Sequence, residues 1–188
     1  MTNSRYNVLF LCTGNSARSI IAESILQQDG EDRFRAFSAG SKPRGQVNPF
    51  ALQALEAAGY ATNGLRSKSW EAFAIPGAPA IDLVITVCDN AAAETCPIWP
   101  GYPMTAHWGM EDPATFQGTD AEKHAAFLRA LRCIRGRIGR LIALPVTELD
   151  AGELRSRLRA IGQEDGAPRE VAQTTAESAA GGNKKAGQ

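Results

Sequence analysis

The sequence predicts an α/β domain built on a mostly parallel four-stranded sheet. Three observations predict it. Short apolar, β-prone runs alternate along the chain with segments of helical periodicity. Two of these runs end directly at a cysteine, Cys12 and Cys88. The first run passes through a glycine-containing loop into a helix, as many α/β domains open.

Tyr6–Leu11 is the first strand, stopped by the turn-rich Cys12-Thr13-Gly14-Asn15. From Ala17 the pattern is helical, with Ile20, Ile21, Ser24, Ile25 and Leu26 on one face and Gly30 as the stop. Phe34–Ser38 is a second strand, followed by a loop with Gly40, Pro43 and Gly45. Asn48-Pro49 caps a helix through Leu52, Leu55 and Ala58 that Gly59 ends. Ile81–Val87 is a buried strand running into Cys88. Residues 89–103 are a loop with at most one helical turn, because Pro97, Pro100, Gly101 and Pro103 forbid more. Met104–Trp108 is the fourth strand, and Met110–Gly118 a loop. Thr119 or Asp120 caps a long helix to about Leu144, where Pro145 ends it. In such sheets ligands sit beyond the carboxyl ends of the strands. Cys12, Cys88 and Asp112 all follow strands and therefore share that rim.

The domain is expected to occupy residues 1–145, with a helical extension over 146–162 carried by Leu154, Leu158 and Ile161. Residues 163–188, rich in Gly, Ala, Gln and charge, are expected to be a disordered tail. A chain of 188 residues buries enough surface to need neither disulfide nor metal for its core. Twenty basic and twenty acidic residues balance to zero net charge, which speaks against nucleic-acid or membrane-surface partners. No apolar stretch approaches the ~18 residues of a membrane span, and the polar Met1–Arg5 does not open a signal peptide. A cytoplasmic protein is expected, and its four scattered cysteines, 12, 88, 96 and 133, are then filler or chemistry.

The strongest motif is Cys12-Thr13-Gly14-Asn15-Ser16-Ala17-Arg18-Ser19, a cysteine and an arginine separated by five residues. A loop closing onto a helix N-terminus turns backbone N–H groups inward, a nest for a tetrahedral oxyanion. Gly14 and Asn15 tolerate the positive φ such a loop needs. Arg18 offers a planar fork for two oxygens, and the positive potential favours the nucleophilic thiolate of Cys12. Ser19 is placed to steady that thiolate. The plainer alternative is a buried strand-end cysteine beside a surface arginine.

With these residues at the N-terminus and Asp112-Pro113 far downstream, the chain resembles the low-molecular-weight protein tyrosine phosphatases, and more closely the arsenate reductases built on the same fold. The similarity spans about residues 6–144. It is carried by residues 12–19, Ala22-Glu23, Ser38-Ala39-Gly40, Val87-Cys88, Cys96-Pro97, His107-Trp108-Gly109 and Asp112-Pro113-Ala114. The resemblance implies a sheet with helices on both faces and arsenate as substrate, with phosphate as its analogue. It implies a relay in which Cys12 attacks arsenate, Cys88 resolves the adduct, and Cys96 carries the disulfide to thioredoxin or a similar dithiol. Thr13, Gly14, Asn15, Ser16, Ala17, Arg18 and Ser19 are expected to bind the oxyanion.

A phosphatase would need only Cys12, Arg18 and an acid, and Cys88 and Cys96, eight positions apart, would then be loop cysteines packed as small hydrophobes. Their spacing is one residue longer than in the related reductases. Asp112, restrained by Pro113, is the expected general acid, and its neighbour Glu111 the rival. Cys133 is expected to be core filler within the long helix. His107 and His124 show no metal-ligand spacing, and His107-Trp108 is expected to brace the acid loop. Lys42, Arg44, Arg66 and Lys68 are expected on a solvated charged face. Related reductases hold a monovalent cation with residues matching Asn15, Glu23 and Ser38 plus a further acid. The corresponding stretch here, Ser67-Lys68-Ser69-Trp70, has no acid, so no cation, other metal or cofactor is expected. A phosphotyrosine phosphatase and a non-enzymatic oxyanion- or redox-sensing module remain the alternatives.

Overall fold

The computed structural model describes residues 5–93, 101 and 103–164. Strands β1 (Tyr6–Cys12), β2 (Phe34–Gly40), β3 (Leu83–Thr86) and β4 (Met104–His107) form one sheet in the order β2-β1-β3-β4. Every pairing is parallel. Val8–Cys12 and all of β3 are buried without alternation, as central parallel strands covered on both faces must be. From β1 the chain crosses to β2 on one side and later to β3 on the other. The end of β1 is therefore a point where strand order reverses, and Cys12 stands on it.

Among the described residues the α-helices are α1 (Arg18–Asp29), α2 (Pro49–Ala57), α3 (Asp89–Ala93), α4 (Asp120–Ala143) and α5 (Ala151–Gln163). Ile21 and Ile25 of α1, Phe127, Leu131 and Ile134 of α4, and Leu158 of α5 pack with Val8, Phe10 and Ile85 of the sheet. Leu9, Leu11 and Val84 point the other way and meet Phe73 and Ile81, from a segment that includes a 3-10 turn at Trp70–Phe73. Both faces are covered, unequally.

The capping signals act where the sequence places them. Asn48 Oδ1 accepts from the Phe50 N–H at 2.9 Å, with Pro49 in the first turn of α2. Thr119 caps α4 in a reciprocal capping box with Glu122. Boundaries shift by a residue or two. The third strand is shorter than 81–87, because Ile81 and Val87 flank the ladder, and the first helix starts at Arg18 with Ala17 as its cap. Helix α5 runs one residue beyond the expected extension, held by Arg137, which donates to the Gly162 and Glu164 carbonyls.

Candidate active site

Cys12 ends β1 and is buried, at 4% exposure. The loop after it is built from its carbonyls. The amide of Lys42 donates to Thr13 O (2.9 Å), that of Arg44 to Gly14 O (3.0 Å) and that of Asn48 to Ser16 O (2.8 Å). In a trans peptide the next N–H points opposite to the carbonyl. Outward carbonyls at 13, 14 and 16 therefore turn the amides of Gly14, Asn15 and Ala17 inward. One of these contacts is visible directly: the Asn15 N–H donates to Cys12 Sγ at 3.2 Å. Helix α1 begins immediately afterwards, with no side-chain cap and no acidic residue in its first turn. Its free N–H groups and its dipole add to the same positive end.

Positive φ falls on Asn15 (+40°) and not on Gly14. Asn15 holds this conformation because its side chain is fully bonded. Its amide donates to Ser19 Oγ (2.9 Å) and Ser38 Oγ (2.8 Å), and its carbonyl accepts from the Lys68 N–H (2.8 Å). A Cβ on Gly14 would lie 3.2 Å from Nε of the exposed Arg44 side chain, which has room to give way. Gly40 matters more. A Cβ on it would stand 2.5 Å from Thr13 O and 2.9 Å from Asn15 Cβ, so β2 can back the loop only with glycine at its end.

Ser19 Oγ lies 2.9 Å from Cys12 Sγ. It already accepts a proton from Asn15, so its own hydrogen is free for the sulfur. Two donors therefore converge on one sulfur. Arg18 places one nitrogen 2.9 Å from Asp112 Oδ2 and another 2.8 Å from the Met110 carbonyl. Its Nε is buried and finds no partner among the described residues. The second Asp112 oxygen accepts from the Ala114 N–H at 3.1 Å. The acid and the fork thus face each other, while Glu111, the rival acid, is exposed.

Register brings the second cysteine in. Leu11 pairs with Thr86, and the Val87 N–H donates to Leu11 O at 2.8 Å, so Cys88 follows one residue beyond the level of Cys12 on the adjacent strand. Cys88 is buried, with its sulfur 3.7 Å from Thr13 Oγ1 and 3.4 Å from the Ala91 N–H that donates to it. Both Cys12 and Cys88 are free thiols. Cys96 lies outside the described residues.

The acid loop is braced from behind. Trp108, 1% exposed, donates from its indole to Leu158 O at 2.9 Å, and Arg137 donates to the carbonyls of Trp108 (2.8 Å) and Gly109 (3.2 Å). His107 bonds Thr86 Oγ1 (2.8 Å) and Asp89 (3.0 Å) through its two ring nitrogens. No group of three or more metal-ligating side chains occurs among the described residues.

Two expectations need correction. Lys68 is not on a solvated face: its side chain is 17% exposed and ion-paired to Glu23 at 3.3 Å. A basic residue between serines gives no sign of that, because its partner lies 45 residues away. Cys133 is half-buried and not core filler, lining a cavity of about 590 Å³ with Met110, Asp112 and Arg129. The 41–48 backbone that holds the loop carbonyls was invisible in sequence, since any residue but proline supplies an N–H.

Residues 7–151 match the family model "Low molecular weight phosphotyrosine protein phosphatase". The chain is 39% identical over 132 residues to an arsenate reductase of Bacillus subtilis, covering 70% of this chain and 88% of that protein. It is 38% identical over 139 residues to an arsenate reductase of Bacillus licheniformis, covering 74% and 94%. Among solved structures, an arsenate reductase in a phosphate-binding state superimposes with a TM-score of 0.60 at 27% identity, over 73% of this chain and 97% of that one.

Proposed function

From its place in the low-molecular-weight phosphotyrosine protein phosphatase family, to which this chain belongs, we propose that the protein reduces arsenate to arsenite with an intramolecular cysteine relay. One observation carries the choice within the family: a second buried thiol, Cys88, sits beside Thr13 of the anion loop. Phosphoester hydrolysis has no use for it, and the relatives at 38–39% identity are arsenate reductases.

The inward amides of residues 13–19 and the Arg18 fork hold arsenate above Cys12. Binding draws Arg18 from Asp112 towards the anion, and its unpartnered Nε gains an acceptor. The Cys12 thiolate attacks arsenic, and a hydroxyl leaves as water with a proton from Asp112. Cys88, as thiolate, then attacks Cys12 Sγ. The sulfur–arsenic bond breaks, its electron pair stays on arsenic, and arsenite leaves with a Cys12–Cys88 disulfide behind it. Cys96 attacks Cys88 and frees Cys12, and the Cys88–Cys96 disulfide passes its oxidation to a dithiol protein such as thioredoxin. Each cycle moves two electrons. A relay whose thiols must be reduced again after each cycle suits a reducing compartment, so we read the enzyme as cytoplasmic.

Purified protein with arsenate, thioredoxin, its reductase and NADPH should oxidise NADPH continuously. Turnover of an aryl phosphate with no arsenate reduction would instead make the protein a phosphatase, and absence of both would leave an oxyanion-binding sensor.

A further inference from the structure

Behind the anion loop, the ammonium of Lys68 is surrounded by oxygens. Glu23 presents Oε2 at 3.3 Å and Oε1 at 3.5 Å, Ser38 Oγ lies at 3.4 Å, and the Arg66 carbonyl lies at 3.4 Å. Glu23 and Lys68 are each less than one-fifth exposed, so the pair is largely withdrawn from water. We propose that Lys68 is a built-in cation: its ammonium takes the place of a monovalent metal ion behind the loop and fixes the hydrogen-bond order that ends on Cys12.

The order follows from donors and acceptors. Lys68 has only protons to give, so Ser38 Oγ receives one and turns its own proton to Glu23 Oε2. Ser38 also accepts from Asn15, whose second amide proton goes to Ser19. Ser19 is left with one hydrogen, and it points to Cys12 Sγ. The Lys68 backbone closes the frame: its N–H holds Asn15 Oδ1, which sets the orientation of that amide, and its carbonyl accepts from the Gly40 N–H at 2.9 Å. Lys68 touches no reacting atom. It is a positioning residue for the thiolate and for the positive-φ turn at Asn15.

The residues matching the cation site of the related reductases do not fit a metal ion here. Among the described residues Glu23 is the one carboxylate bonded in this cluster, and its charge is already matched by Lys68. A second cation on Glu23 and Ser38 would sit against an ammonium a few ångströms away, without a further acid to compensate. The Lys68 ammonium thus removes the need for the ion and the room for it.

The test compares potassium with choline chloride at equal ionic strength. The readout is the rate at which iodoacetamide alkylates Cys12, together with its protection by phosphate. The inference rests on the anion-loop reading of Cys12 and not on arsenate, and this readout requires no arsenate. Wild-type protein should alkylate at the same rate in both salts, and its melting temperature should not rise specifically with potassium. Lys68→Ala, which empties the ammonium position, should alkylate at least about fivefold more slowly in choline. Potassium or methylammonium should recover most of that loss. A structural role alone would not respond to the identity of a small cation. A potassium-specific gain in rate or melting temperature for the wild type would overturn the proposal, even if the variant cannot be purified folded. So would a Lys68→Ala protein that alkylates like the wild type, or one whose lost rate neither cation restores. A wild type indifferent to potassium and a rescuable variant, with no arsenate turnover in either, would uphold Lys68 while removing arsenate as the substrate.

Discussion

Arg18 meets Asp112 through one nitrogen, Met110 O through another, and leaves Nε without a partner among the described residues. Three separate directions of a planar fork are in play, so charge alone cannot replace it. Arg18→Lys is expected to lower kcat/KM by more than about tenfold, roughly 1.4 kcal/mol or more of transition-state stabilisation. Steady-state kinetics with near-normal constants would reject that role. Gly40 offers a cleaner contrast, because it carries no chemistry. A methyl at Gly40 meets Thr13 O and the Asn15 backbone, so Gly40→Ala should deform the loop and abolish phosphate protection of Cys12 from alkylation. Protection equal to the wild type would contradict the packing. The loop motif was legible in sequence because its chemistry lies in contiguous residues. Gly40 was legible only as part of a resemblance, and Lys68 only as the place of a missing acid and not as the buried partner of Glu23, since each acts on a loop formed far away in the chain.

At the scale of elements, α5 holds the acid loop from behind. Leu158 is fully buried, and its carbonyl receives the Trp108 indole proton. Leu158→Ala should cost about 2–5 kcal/mol in denaturant unfolding, from lost burial and the cavity left behind. A loss below 1 kcal/mol, roughly the scale of a surface change, would mean that α5 is only loosely docked. A second test lies between α1 and the segment after α2. Burial, and then the hydrogen bond to Asp29, push the Tyr60 phenol from 10.0 up to about 12. The folded state keeps that proton longer than the unfolded chain, so its contribution is intact below pH 10.0 and lost as pH rises towards 12. Stability of the wild type should therefore fall through that window more steeply than stability of Tyr60→Phe. Parallel pH profiles would show that the phenol is not held this way. Helix limits were readable because caps are local: Asn48-Pro49 and Thr119 with Glu122 mark their helices directly. The exact strand ends were not, because hydrogen-bond ladders depend on neighbours that the local sequence does not identify.

Across the whole molecule, the parallel order β2-β1-β3-β4 gathers Cys12 and Arg18, Cys88, and Asp112 at one rim from three distant parts of the chain. Sequence reasoning reached that convergence because strand–loop alternation dictates where reactive residues collect. It could not foresee that Arg18 and Asp112 would pair with each other, since that depends on how the Met110–Gly118 loop folds back. The relay is the claim that separates a reductase from a phosphatase, and one single-turnover experiment reaches it. Reduced Cys96→Ser protein is mixed with excess arsenate without thioredoxin, arsenite is quantified, and the disulfides are mapped by peptide mass. The expected result is one arsenite per protein with Cys12 and Cys88 joined. Arsenite released with both of these thiols still free, or none released by a folded protein that binds phosphate, would contradict the relay.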